Sequence, residues 1–433
     1  MRGTITLTLL AILALAISAQ TTINYAAFPH NLTTEVFNRS DCGYSCSAQL
    51  TNELSGYISA WIIQGSNYTR KKLSLKDLSC LAEDTTSLNI YSPSSTPVMG
   101  WDQNGSVAFL TFKANVTVQT VNLIVFNSNT SKITFNRTIL TNNQVQSSVR
   151  LVGFSIHGGS SGFGIAWFST SQSQYSQSST AYFNVFSKTT GDRKFPKDTP
   201  ISTRAYQKNY LTMAELRNHS YLITWQNQPQ DPTLFDNWAA AWVNSFGETE
   251  LSQEQIFLTE NSKVDFTVQN VLLTDSGYVI VFKKRNNTIV SPFALFNSTS
   301  NQVNPQPVDL TWANQNPIQS LHGRYFDGLL LGYQVTYSNK DVTTSAVIQT
   351  FDKNGQVVQQ KGKNYTLVAN NTDAIYGVKG SDQGYYVMIR VQGNDASISY
   401  RLGKLFDQVS MWGGNYSPFI MFTLMCLILV LGN

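Results

Sequence analysis

Four histidines, four cysteines and 26 carboxylates are where acid, base or metal-ligating chemistry would begin in this 433-residue chain. His30, His157, His219 and His322 stand far apart, with no triad-like spacing and no His-Glu-x-x-His pattern that would put two imidazoles on one helix face. His157 and His322 each precede a repeated motif by five or six residues, which predicts similar places on one rim. Gly158-Gly-Ser-Ser-Gly162 is glycine-rich, but neither a lysine nor a helix pattern follows, so it predicts a turn rather than a phosphate cradle. Paired acids for glycoside hydrolysis cannot be chosen from sequence order alone. Cys42, Cys46 and Cys80 cluster without a nearby fourth ligand, which disfavours zinc. Three thiols allow one disulfide, most simply Cys80 with Cys42 or Cys46. No catalytic, cofactor or metal residue is assigned.

The elements around these residues carry more information. Residues 1–19 have one arginine, an apolar run and small residues at Ser18 and Ala19, the three parts of a signal peptide. Residues 411–433 end in the apolar run from Phe419 to Leu431, behind the small group Gly413, Gly414, Asn415. That arrangement predicts a lipid-anchor attachment signal, with a single-pass membrane tail as the alternative. Cys426 lies within this tail. Secretion would expose sequons to glycosylation, and Asn-x-Ser/Thr occurs at Asn31, Asn38, Asn67, Asn104, Asn115, Asn129, Asn136, Asn218, Asn286, Asn297, Asn364, Asn370 and Asn415. The expected address is the extracellular face of a membrane.

Composition narrows the partners. A net charge of +4 with 13% charged residues and no basic run excludes a charge-driven nucleic-acid binder. A hydrophobic content of 42% gives the chain a substantial core.

A turn residue followed by an apolar, aromatic run recurs from Gly56, Gly105, Gly162, Ser220, Gly277, Gly328 and Gly384, at spacings of 49, 57, 58, 57, 51 and 56 residues. The fifth position is always large and apolar: Trp61, Leu110, Trp167, Trp225, Phe282, Tyr333 and Ile389. A second marker, Phe and a polar turn residue, follows at Phe126, Phe186, Phe246, Phe296, Phe351 and Phe406. Between the markers the sequence is β-branched and loosely alternating, without a helical period. Each unit predicts three or four antiparallel strands, too few to bury both faces alone. The fold class expected is all-β, a single seven-bladed β-propeller over residues 50–410. Residues 20–49 are expected to supply a ring-closing strand. The first unit is the least regular, and Lys71 to Leu81 fits the pattern poorly.

Ser220-Tyr-Leu-Ile-Thr-Trp225, a polar loop, and then Trp238-Ala-Ala-Ala-Trp-Val-Asn-Ser-Phe246-Gly247 resemble the Gly-aromatic/Trp strand repeats of bacterial and protist cell-surface proteins. The resemblance spans about residues 54–408 and implies a propeller scaffold. The aspartate box of sialidases is not matched: Asp275-Ser-Gly277 and Asp382-Gln-Gly384 share only Asp-x-Gly with it. Trp238, Trp242 and Trp312 read as packing between blades, with sugar or partner stacking as the alternative. The function expected is a non-enzymatic, membrane-attached surface glycoprotein binding a protein or glycan, with lateral self-association in a coat as a further option. The alternative is a glycan-processing hydrolase on the same scaffold.

Overall fold

A computed structural model describes the strand backbone between residues 34 and 406, and side chains within 35–248 and 376–404, with gaps at many connections. The chain begins with β1 (Thr34–Arg39), then a meander of β2 (Ser47–Glu53), β3 (Tyr57–Gln64), β4 (Asn67–Ser74) and β5 (Cys80–Ser87). The second sheet is β6 (Val98–Trp101), β7 (Ser106–Ala114), β8 (Val118–Asn127) and β9 (Lys132–Asn143). The third is β10 (Val149–Gly158), β11 (Phe163–Gln172), β12 (Gln177–Phe186) and β13 (Thr199–Pro200). The fourth is β14 (Gln207–Glu215), β15 (Tyr221–Gln228), β16 (Asn237–Val243) and β17 (Gln255–Thr259). Two further meanders follow: β18 (Thr267–Leu273), β19 (Val279–Arg285), β20 (Thr288–Phe296), β21 (Val303–Asp309), then β22 (Ile318–Phe326), β23 (Leu329–Tyr337), β24 (Thr344–Asp352), β25 (Thr366–Leu367). The last sheet holds β26 (Thr372–Lys379), β27 (Tyr385–Gln392) and β28 (Ile398–Phe406), and its fourth strand is β1. Neighbouring strands within the sheets run antiparallel.

The repeated Gly-aromatic run forms the second strand of its sheet every time: β3, β7, β11, β15, β19, β23 and β27. A second strand has partners on both sides and, in a stack of sheets, protein against both faces. It therefore reads as an unbroken apolar run rather than an alternating one. Trp61, Leu110, Trp167, Trp225 and Ile389 are all buried.

Five sheets with described side chains pack in succession, each contact made of apolar residues from two sheets. Val36 and Tyr400 of the last sheet join Ile58 and Leu73 of the first in one cluster. Trp61 and Tyr68 join Phe109 and Phe126 of the second sheet. Leu110 and Leu123 join Phe163 and Trp167 of the third. Phe183 and Val185 join Tyr221 and Trp225 of the fourth. Sheets stacked this way, with four-stranded meanders as the repeating unit, make a β-propeller-like all-β fold. The first strands of successive sheets adjoin, β6 against β10, β10 against β14 and β26 against β2.

Several expectations change against this frame. The first unit is a regular four-stranded sheet, with Lys71 in β4 and Leu81 in β5. Its charges hid it. Lys71 and Lys72 lay their ammonium groups over the rings of Phe37 and Tyr57, at 5.1 and 4.2 Å, so a basic strand is still covered by apolar contact. Phe126 and Phe186 are buried at strand ends, but Phe246 lies beyond β16 in the Asn244 to Glu248 turn and is 80% exposed. His157 and His322 are not equivalent: His157 pairs with Gly164 near the end of β10, whereas His322 pairs in mid-strand with Tyr333.

The cysteine expectation is also corrected. Cys80 is free and exposed at the start of the outer strand β5, so it is not half of a bridge, and its Sγ faces the Ala82 carbonyl. Cys46 is disulfide-bonded, and Cys42 lies outside the described residues. Among the described residues no helix is long and apolar enough to cross a membrane. Residues 1–19 and the tail with Gly413, Gly414 and Asn415 lie outside the described residues.

Candidate functional site

The two ends of the fourth sheet collect the polar groups that matter most. At one end the turn from β10 to β11 carries Ser160 across to β14. Ser160 donates its backbone N–H to both Glu215 carboxylate oxygens, at 3.1 and 2.9 Å, and its Oγ to Oε1 at 2.8 Å. His219 Nδ1 lies 2.8 Å from the same Oγ and 3.4 Å from Glu215. Tyr221 rises beneath, with Gly159 packed so tightly that an added Cβ would sit 2.4 Å from the tyrosine oxygen. Burial, and then the Glu215 charge, push the Tyr221 phenol well above its ordinary range.

Serine, histidine and glutamate in contact invite comparison with nucleophile activation. A relay needs the imidazole between serine and carboxylate, one ring nitrogen to each. Here both partners face Nδ1, and the carboxylate holds the serine directly. The arrangement therefore ties two sheets together instead of moving a proton. Similar ties recur. Buried Asp102 meets Lys188 of the next sheet at 2.6 Å, and Arg137 of β9 meets Asp192 beyond β12. Buried Arg70 bonds Ser59, Asp84 and, across the sheet boundary, Ser131, while its guanidinium lies 5.6 and 5.3 Å from the rings of Trp61 and Phe126.

The other end of the fourth sheet, where β15 passes to β16, is built differently. A bulge in β14 between Asn209 and Thr212 places Tyr210 at φ +52, in the left-handed region. Such a conformation costs a bulky side chain on the order of 1–3 kcal/mol. The residue is nonetheless 71% exposed and stacks on Trp238, with ring centroids 6.0 Å apart. Register puts Asn209, Gln226 and Trp238 in one row across three strands. Asn209 donates to Gln228 Oε1 at 2.8 Å. Asp236 receives Gln226 Nε2 at 3.3 Å and Gln228 Nε2 at 3.5 Å. Gln226 is 7% exposed and, among the described residues, its Oε1 has no hydrogen-bond partner, nor has the Trp238 indole N–H. On the opposite face Trp225 donates to Asn227 at 2.9 Å, and Asn227 to Asn237 at 3.0 Å.

Of the predicted sequons, Asn67 and Asn136 have described side chains, and both are exposed, on β4 and β9. Asn38 is on β1, paired with Ser399. Asn31, Asn104, Asn115, Asn129, Asn218, Asn286, Asn297, Asn364, Asn370 and Asn415 lie outside the described residues, as does Trp312. Trp238 and Trp242 are buried in β16. Sequence reasoning missed Ser160, Glu215 and Tyr210. A signal for the first two existed, since Ser160 and Glu215 stand 55 residues apart, about one repeat. Among the described residues no group of acids, His and Cys could hold a metal ion.

No protein-family model matches the chain, and no curated protein does. Solved structures similar to it include the acylaminoacyl peptidase of Pyrococcus horikoshii, at 12% identity and TM-score 0.44, covering 87% of this chain and 54% of that one. The β-propeller domain of the trilobed protease from Pyrococcus furiosus matches at 10% identity and TM-score 0.43, covering 89% and 99%. The polysaccharide lyase Uly1 matches at 7% and 0.48, covering 71% and 78%. The chain spans about half the length of the first peptidases it matches. At these scores no likeness transfers an activity.

Proposed function

We propose that this chain is an extracellular, N-glycosylated protein whose seven sheets close into one ring, and that it works by binding a ligand rather than by transforming one. The observation that carries the reading is the exposed state of Asn67 and Asn136 on two different sheets, beside a signal-like N-terminal segment. Closure is supported by β1, which pairs with β28, and by the Tyr386 hydroxyl, which donates to the Leu75 carbonyl at 3.2 Å across 311 residues. Binding is supported by Tyr210, an exposed ring held in an unfavourable backbone conformation.

Expression in secreting eukaryotic cells tests the address. The protein should leave the cell and lose apparent mass on glycosidase treatment, and Asn67→Gln and Asn136→Gln should each remove one glycan increment. Retention in the cytosol, or a mass that glycosidase leaves unchanged, overturns the reading.

A further inference from the structure

The end of the fourth sheet around Tyr210 has the parts of a ligand subsite. One face of the Tyr210 ring is covered by Trp238 and the other is open. Beside it, the two amide bonds to Asp236 measure 3.3 and 3.5 Å, beyond the ordinary span of about 2.7–3.2 Å. The carboxylate is thus weakly engaged, and a hydroxyl at normal distance would displace either amide. Gln226 shares this site through its Nε2, and its buried Oε1 is an acceptor with nothing to accept.

We infer that this patch binds a neutral pyranose, the terminal or internal sugar of a glycan; the inference rests on reading the protein as a binding ring. The aromatic face is electron-rich and the axial C–H groups of a pyranose form an electron-poor face, so the sugar stacks on the open side of Tyr210. Neighbouring sugar hydroxyls both donate and accept. They match a carboxylate that only accepts, at Asp236, and amides that do both, at Gln228 and Asn209. An acidic sugar would set its charge against Asp236. The adjacent cation, Lys208, directs its ammonium onto the carbonyls of Ser179, Arg204 and Tyr206. The stacked pair also fixes the platform in advance, so the ring loses little freedom on binding.

Titration of the purified full chain with glucose, galactose, mannose and N-acetylglucosamine oligomers, read by calorimetry and by ring-proton shifts, tests this. At least one neutral series should bind. Tyr210→Ala should weaken it by about tenfold or more, whereas Tyr210→Phe, which keeps the ring, should stay within about twofold. Asp236→Asn should weaken it without altering the circular dichroism spectrum. Binding that survives Tyr210→Ala, or no binding by any neutral series at millimolar sugar, overturns the subsite. Either result with secretion and glycosylation intact removes the sugar proposal alone, while an unglycosylated, unsecreted chain removes the broader reading.

Discussion

The two ends of the fourth sheet share strands β14 and β15 and differ in how tightly their carboxylates are held. At the Glu215 end, one carboxylate accepts three short bonds from Ser160 and sits against His219. At the Asp236 end, one carboxylate accepts two long bonds, and a buried amide oxygen and a buried indole N–H go without partners. A carboxylate held by short bonds from the neighbouring sheet contributes to holding the two sheets together, although the buried Tyr221 hydroxyl at that end is unpaired among the described residues and His219 is also left-handed, at φ +63. A carboxylate held only by long bonds, as at Asp236, keeps capacity for a further hydroxyl at normal distance. On the proposed reading, the first carboxylate joins two sheets and the second is free to meet a ligand.

The comparison breaks most readily at the Glu215 end. Gly158 closes β10 against the neighbouring sheet, and an added Cβ would lie 2.3 Å from the Trp101 carbonyl carbon and oxygen, which are backbone and cannot swing aside. Gly158→Ala should lower stability by about 3 kcal/mol in denaturant unfolding. A loss under half of that would mean that the sheets are less firmly registered than described. Glu215→Ala removes the Ser160 bonds and should cost about 1 kcal/mol, because the site is partly exposed to water. Asp236→Ala, by contrast, should cost less than about 0.5 kcal/mol. Equal losses at the two carboxylates would erase the distinction.

Legibility in the sequence followed burial. The second strand showed clearly where Trp61, Leu110, Trp167, Trp225 and Ile389 are enclosed, which leaves no room for polar alternation. Strand β4, Asn-Tyr-Thr-Arg-Lys-Lys-Leu-Ser, stayed hidden because its cations are accommodated by rings and by Asp84, partners that a one-dimensional pattern does not show. Phe246 misled because an aromatic before a glycine reads alike whether it ends a strand or caps a turn. The polar ties were invisible for another reason. Arg137 and Asp192 are 55 residues apart and Arg70 and Ser131 are 61, so contact depends on a repeat length that varies by several residues from sheet to sheet.

Smaller effects sharpen the contrast. Tyr210→Gly relieves the left-handed strain but forfeits the stack on Trp238. The balance should leave the protein unchanged or up to about 0.5 kcal/mol more stable in thermal melts, an outcome expected of a residue retained for binding. At the other end, the raised Tyr221 ionisation couples folding to alkali. The stabilising contribution is complete below the ordinary phenol pKa of about 10 and is lost as pH rises toward the folded value. Tyr221→Phe should therefore flatten the fall in melting temperature above about pH 10. Asp192 works in the opposite direction. The Thr190 hydroxyl, and then Arg137, hold its carboxyl below the usual range, so its contribution is present above about pH 4 and fades as acid is added. Thr190→Val should move the Asp192 titration upward in a carboxyl NMR experiment, with little change in melting.

The pairing of β1 with β28 sets a timetable for biogenesis. Strand β1 leaves the ribosome long before its partner β28, and at about 5–20 residues per second that delay is tens of seconds. Throughout it the Thr34–Arg39 strand carries an unpaired hydrogen-bonding edge into a crowded compartment. A chaperone that shields this short segment, or a sugar added at Asn38 within it, would govern how much nascent chain completes the β1–β28 pairing.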